Sequence, residues 1–157
     1  MSFVDRLVAH WKMERVSPDV QATAKAIDEF QSRFNLTLPA DVRAFYERFN
    51  GLLDMDADLN KFWPIEELDT VPNKVEPYAS IPDFSGISAR LPDAANYFAF
   101  ADHSIWVFVY AFRLTGDLAE SGPVVWIADG NTHDTIAESF AGFWQAYLDN
   151  PDRIMVP

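Results

Sequence analysis

Two short runs in this chain bring together residue types that could do chemistry. Asp54-Met55-Asp56-Ala57-Asp58 sets three carboxylates at alternate positions, the way a calcium-binding loop begins. Such a loop also needs glycine at its sixth position and a bidentate acid at its twelfth. Here those positions hold Leu59 and Ile65, so the run is expected to be a solvated acidic loop. Asp102-His103-Ser104 holds the three residue types of a hydrolytic triad. Neighbours in sequence cannot face one another as orienting acid, base and nucleophile must, and the run is better read as a turn. His10, His103 and His133 lie far apart, without metal-ligand spacing. His133-Asp134, close to Asp129, is expected to be a solvated charge pair. With no cysteine, the chain has no disulfide, thiolate metal site or thiol nucleophile. No glycine-rich phosphate loop is present, and no basic patch interleaved with aromatics that would hold RNA or DNA. The expectation is a protein without catalysis, cofactor or metal, with a hydrolase as the weaker alternative.

Charge points elsewhere. The 157 residues carry a formal net charge of −12. Residues 1–53 hold seven acids and seven bases, so the remaining 17 acids face only five bases, Lys61, Lys74, Arg90, Arg113 and Arg153. A field of one sign repels nucleic acid and anionic membranes and speeds the capture of a basic partner. It also serves solubility, which is the plainer explanation.

The elements that must position these groups can be read from periodicity. Phe3, Leu7, Val8 and Trp11 form a helical stripe ending near Val16. Ser17-Pro18-Asp19 looks like the cap and first turn of a second helix that buries Val20, Ala24, Ile27, Phe30 and Phe34. Pro39 suits the first turn of a third, whose Val42, Phe45, Tyr46 and Phe49 share one face and which Asn50-Gly51 closes. Phe62-Trp63-Pro64-Ile65 suggests a short edge strand, since Pro64 cannot donate to a ladder. Residues 69–96, punctuated by Pro72, Pro77, Pro82 and Pro92, form a long surface excursion. Tyr78, Ile81, Phe84, Ile87 and Leu91 make it too apolar to be a linker.

A sheet comes next: residues 97–101, the turn at Asp102-His103-Ser104, then a strand over residues 105–112 that is apolar on both faces and so covered on both. Gly116 to Gly122 makes a loop, residues 123–128 return as a third strand, and Asp129-Gly130 is a turn. Phe140, Phe143, Trp144, Tyr147 and Leu148 form the apolar face of a last helix, capped by Ser139 and stopped at Asn150-Pro151. The fold class is α+β: N-terminal helices, a central antiparallel sheet and a C-terminal helix packed on it, as one domain over residues 1–157. Hydrophobic residues make up 49% of the chain and aromatics 15%, enough for a real core and too many for a disordered chain. Asp5 and Arg6 interrupt any signal-peptide core, and the longest apolar run is far too short to span a membrane. A soluble, cytoplasmic protein is expected.

The wording of residues 38–51, Leu38-Pro39-Ala40-Asp41-Val42-Arg43-Ala44-Phe45-Tyr46-Glu47-Arg48-Phe49-Asn50-Gly51, resembles the helix that opens the conserved region of the SUKH superfamily. Trp63-Pro64-Ile65-Glu66-Glu67-Leu68 is similar to the family's short strand after that helix, residues 97–112 to its central strand pair, and Ile136-Ala137-Glu138-Ser139-Phe140-Ala141-Gly142-Phe143 to the entry of its final helix. Together these cover about residues 20–150. Family members commonly carry a glycine-rich turn between the first two sheet strands, whereas Asp102-His103-Ser104 has none. The resemblance implies a non-catalytic protein-binding domain. In one version it is an immunity protein that neutralises a bacterial toxin domain, nucleases among them; in the other, a scaffold or regulator in cell-wall synthesis or signalling. Nucleases must be basic to hold their substrates, so the charge split favours immunity. The expected partner-binding residues are Asp54, Asp56, Asp58, Glu66, Glu67 and Asp102, a patch for a basic toxin domain.

Overall fold

A computed structural model describes residues 1–116 and 121–155. Part of the expected Gly116 to Gly122 loop therefore lies outside the described residues. Helix α1 (Phe3–Met13) starts at Ser2, whose hydroxyl accepts from the Asp5 amide, and buries Val4, Leu7 and Trp11. It ends earlier than its stripe suggested. Arg15 turns left-handed and the Val16 amide folds back onto the Trp11 carbonyl.

The second helix is corrected more substantially. Helix α2 spans Ala24–Phe34, capped by Thr23 rather than Ser17. Residues 17–22 are extended along the segment after the third helix: the amides of Asp19, Ala22 and Leu53 donate to Gly51, Tyr46 and Ser17, and that of Asn50 to Val20. With their backbone groups taken there, these residues cannot enter a helix, and Val20 is left 75% exposed instead of buried. Helix α3 (Ala40–Tyr46) starts after Pro39, buries Val42, Phe45 and Tyr46 and is capped by Glu47. It stops short of Phe49, and Asn50-Gly51 forms a separate left-handed turn whose Asn50 amide is drawn to the Val20 carbonyl.

The sheet has six antiparallel strands: β1 (Asn60–Phe62), β2 (Asp69–Thr70), β3 (Tyr97–His103), β4 (Phe108–Arg113), β5 (Val124–Ile127) and β6 (His133–Ala137). Their order is β1-β3-β4-β5-β6, with β2 also paired to β3. Pro64 leads into a 3-10 turn, Ile65–Glu67, so the expected strand at 62–65 stops at Phe62. The 69–96 excursion contains β2, α4 (Val71–Lys74), α5 (Ile87–Arg90) and a second 3-10 turn. It buries Val71, Val75, Phe84, Ile87 and Leu91, while Ile81 stands in solvent. Its approach to the sheet is close: a Cβ at Gly130 would lie 2.9 Å from the Ser85 carbonyl carbon. Helix α6 (Phe140–Asp149) is capped by Ser139 as expected, and a short α7 (Asp152–Met155) ends the described chain.

Phe45 stacks on Trp144 at 5.0 Å, and Trp11 meets Trp144 edge-on at 5.8 Å. Phe140 and Phe143 of α6 press on Phe112, Phe100 and Tyr110 of the sheet. Such ring pairs add roughly 0.5–1.5 kcal/mol each beyond the area they bury. The Asp41 carboxylate ties two helix starts together. It accepts from the Ser121 hydroxyl at 2.6 Å and the Ala141 amide at 3.1 Å, while the Phe140 amide donates to Ser121 Oγ at 2.7 Å. A carboxylate at two helix N-termini is well placed against both dipoles.

The pairing of β3 with β4 is irregular at one point. Ala99 pairs with Ala111 but Ala101 pairs with Tyr110, so Phe100 is an extra residue. A bulge of this kind interrupts the alternation of faces. Phe100 stays on the α6 side, 4.8 Å from Phe112, and Asp102 turns to the opposite face.

Candidate functional site

The structure sorts the six expected binding residues into distinct roles. Asp56 is only 6% exposed and works inside the fold. Its carboxylate accepts from the amides of Asp58 and Asn60 at 2.9 and 2.8 Å, from Asn60 Nδ2 at 3.2 Å and from the Tyr147 hydroxyl at 2.8 Å. The network runs on. Trp11 Nε1 donates to Tyr147, and Asn60 Oδ1 faces His103 Nδ1 at 3.1 Å and the Tyr110 hydroxyl at 3.4 Å. Since Asn60 gives its amide to Asp56, its oxygen is left for His103 and Tyr110, which act as donors. Burial, then the Asp56 charge, pushes Tyr110 and Tyr147 far above the ordinary tyrosine range, so both keep their protons. Burial lowers the pKa of His103, against the pull of Asp56, Asp58 and Asp102, and favours the neutral ring.

Asp102 is likewise 6% exposed, and the bulge aims it at the indole N–H of Trp63, 2.7 Å away. Asp54, Glu66 and Glu67 are exposed and Asp58 is half-buried. Burial raises the pKa of Asp58, with repulsion from Asp56, Glu14 and Asp152 adding to it. The 54–58 loop thus joins Glu14, at the end of α1, around a cleft of ≈ 240 Å³ that His10, Tyr147 and Pro151 also line. That is below the usual size for a small-molecule site. Glu66 sits in other surroundings. It accepts from Asn50 Nδ2 at 2.8 Å and borders a cleft with Glu29 and Arg33 of α2. Among the described residues no group of three or more His, Asp or Glu side chains is placed to hold a metal ion.

Asp102 leads to residues that sequence patterns did not single out as a site. The strand expected over 105–112 begins only at Phe108. Residues 104–107 form a tip in which Ser104, Ile105 and Trp106 are all left-handed, with φ of 48°, 56° and 66°. Left-handed backbone costs an L-residue about 1–2 kcal/mol. A β-branched residue there is a genuine outlier. The conformation is held from beneath. Trp106 lies between Trp63 (5.4 Å, 21°) and Tyr78 (5.3 Å, 29°), with Phe84 at its edge and the Lys74 ammonium 5.3 Å from the Trp63 ring. The Trp106 amide donates to Asp102 at 3.3 Å, and the Ser104 amide donates to the Leu59 carbonyl at 2.9 Å. Above this support Ile105 and Val107 are 78% and 53% exposed, and Leu59 is 48% exposed. These aromatics come from three separate loops, so no periodicity could announce them. The turn read at Asp102-His103-Ser104 lies two residues later, since Asp102 and His103 still belong to β3 and the tip is residues 104–107.

The sequence model of the SMI1 / KNR4 family (SUKH-1) matches residues 21–145, most of the chain. The chain belongs to this family. The match covers the opening helix α3, the sheet and the first turns of α6, so membership of the SUKH superfamily accounts for the elements that position the 54–58 loop and the hairpin tip. No curated protein matches the chain. No helix among the described residues is long and apolar enough to cross a membrane.

Proposed function

We propose that this chain is an immunity protein: a single, non-catalytic domain, working in the cytoplasm, that neutralises a basic bacterial toxin domain by binding it directly. The observation that carries this reading is the charge imbalance, 17 acids against five bases beyond residue 53, on a chain of this family. Nuclease toxins are the class whose phosphate-holding surface best complements such a field. Exposed Asp54, Glu66 and Glu67, with half-buried Asp58, supply the steering charge, while Asp56 and Asp102 support the surface from within. A regulatory scaffold for cell-wall synthesis is the second reading that the family carries.

The test is co-purification with the product of the adjacent reading frame, and then stopped-flow association at two salt concentrations. Asp54→Lys combined with Asp58→Lys and Glu67→Lys is expected to slow association about tenfold at low salt and flatten its salt dependence, with dissociation little changed. Asp56 is left intact because reversing a buried, four-times hydrogen-bonded carboxylate would unfold the loop. An unchanged rate and salt slope would remove the acids from the binding surface. A neighbouring product with no toxicity, and no basic partner at all, would favour the regulatory reading.

A further inference from the structure

The tip of the β3–β4 hairpin combines backbone strain with exposed apolar side chains. Its inner parts are accounted for: Trp106 is stacked on both sides, and Asp102 accepts its amide. Ile105, at φ 56° and 78% exposed, is not. Glycine or asparagine would hold that backbone at less cost, and neither would place four apolar carbons in water. Strained positions of this kind persist where the surroundings over-determine them and recur at binding sites. The fold holds Ile105 outward, with Val107 two residues on and Leu59 joined to the tip through the Ser104 amide.

We propose that the hairpin tip, Ile105 with Val107 and Leu59, is the apolar anchor by which this chain docks into a socket on a basic protein domain; this rests on the partner-binding reading above. A rigid anchor loses little conformational freedom on binding, so nearly all of its burial counts toward affinity. The rim supplies the charge: Asp58 is the residue before Leu59, and Glu14 and Asp152 lie near it. Exposed Asp83 belongs to the same excursion as Tyr78, which stacks on Trp106. The acids beside Leu59, with the 17-to-five excess of acids over bases beyond residue 53, select a basic surface. They oppose a second copy of this chain, whose tip would bring the same acids into contact, and they oppose an anionic bilayer.

The test places a benzophenone amino acid at position 105 of the full chain in cells that carry its gene, with a control at Thr135, exposed on β6 at the other edge of the sheet. Irradiation is expected to cross-link position 105, and not 135, to one basic protein. That protein, purified, is then titrated with the unlabelled chain. Ile105→Asp is expected to weaken binding by about 30-fold or more, as central anchors do, and Thr135→Asp by less than about twofold. Ile105→Asn guards against misfolding: it relieves the backbone and is expected to raise the thermal midpoint by about 1–4 °C while still weakening binding. Loss of binding with gain of stability separates an anchor from a structural residue. An adduct with a second copy or with an acidic protein overturns the proposal. So does a captured basic partner whose affinity is the same for Ile105→Asp, although the partner-binding reading would then stand. Absence of any basic partner for the unsubstituted chain removes that reading, and the anchor with it.

Discussion

Two left-handed turns lie on either side of Trp63, and they solve the same backbone problem differently. At Asn50-Gly51 the residue with φ 80° is glycine, and any side chain there would run into backbone: a Cβ would sit 2.8 Å from the Trp63 carbonyl carbon. Asn50 braces the turn by accepting from the Ile65 amide at 2.7 Å and donating to Glu66. Local preference and tertiary packing agree, and the turn carries the chain from the end of α3 toward β1. At the hairpin tip, serine, isoleucine and tryptophan take up left-handed backbone without glycine, and packing beneath must hold them there. The first turn serves the fold and carries no strain. The second carries strain and faces outward, so it is the one whose residues answer to something besides folding.

Substitutions that exchange the properties of the two turns should break this contrast. Gly51→Ala is expected to have the largest effect, a loss of about 3 kcal/mol or more in urea unfolding, since both the backbone and the Trp63 carbonyl would have to move. A loss below about 1 kcal/mol would show the turn to be plastic. Asp102→Ala should cost about 2–3 kcal/mol, because the buried Trp63 N–H loses its charged acceptor and the tip loses its clasp. A red shift of tryptophan emission should accompany it as Trp106 gains water. Ile105→Asn has the opposite sign, a gain of about 1 kcal/mol, and the equivalent relief is not available at Gly51.

Acidification is the mildest probe. Burial lowers the pKa of His103 in the folded state, so the unfolded chain takes up that proton first. Stability is therefore full above the ordinary histidine range near 6.5 and falls as pH drops below it. A thermal-midpoint series from pH 7.5 to 5.5 should decline, and His103→Gln should flatten the decline. Asp58, with its raised pKa, acts oppositely and lower: the folded state binds its proton more readily, which favours folding as pH falls toward 4.

The same contrast explains what the sequence could disclose. The stripes of α1, α3 and α6 and the Ser139 cap were legible because each is a local pattern that packing reinforces, whereas the helix stop read at Asn50-Gly51 came at Glu47. The start of β4 was not. Alternation runs unbroken from Trp106 to Phe112, and left-handed backbone without glycine leaves no mark in sequence. Strand β6 was missed because an edge strand reading His133-Asp134-Thr135-Ile136-Ala137, half-exposed along its length, shows no two-residue period. Asp56 and Asp102 look in sequence like any surface acid. Only the 54–58 loop and the Phe100 bulge decide that one meets Tyr147 and the other Trp63. The helix at Ser17 failed for a related reason, since a good local cap loses when its amides find partners across the chain.

Trp11 has a further consequence, which concerns how the chain is made. Its indole donates to Tyr147 at 2.9 Å and its ring packs on Trp144, and Arg6 pairs with Asp149. Helix α1 is synthesised well before α6, and until then Trp11 has only Phe45, Phe49 and Phe62 among its ring partners. At the usual 5–20 residues per second, that apolar stripe waits on the order of 10 seconds for α6. During that interval it is a natural ligand for a nascent-chain chaperone, and slowing translation should lower the soluble yield more than slowing refolding of the finished chain.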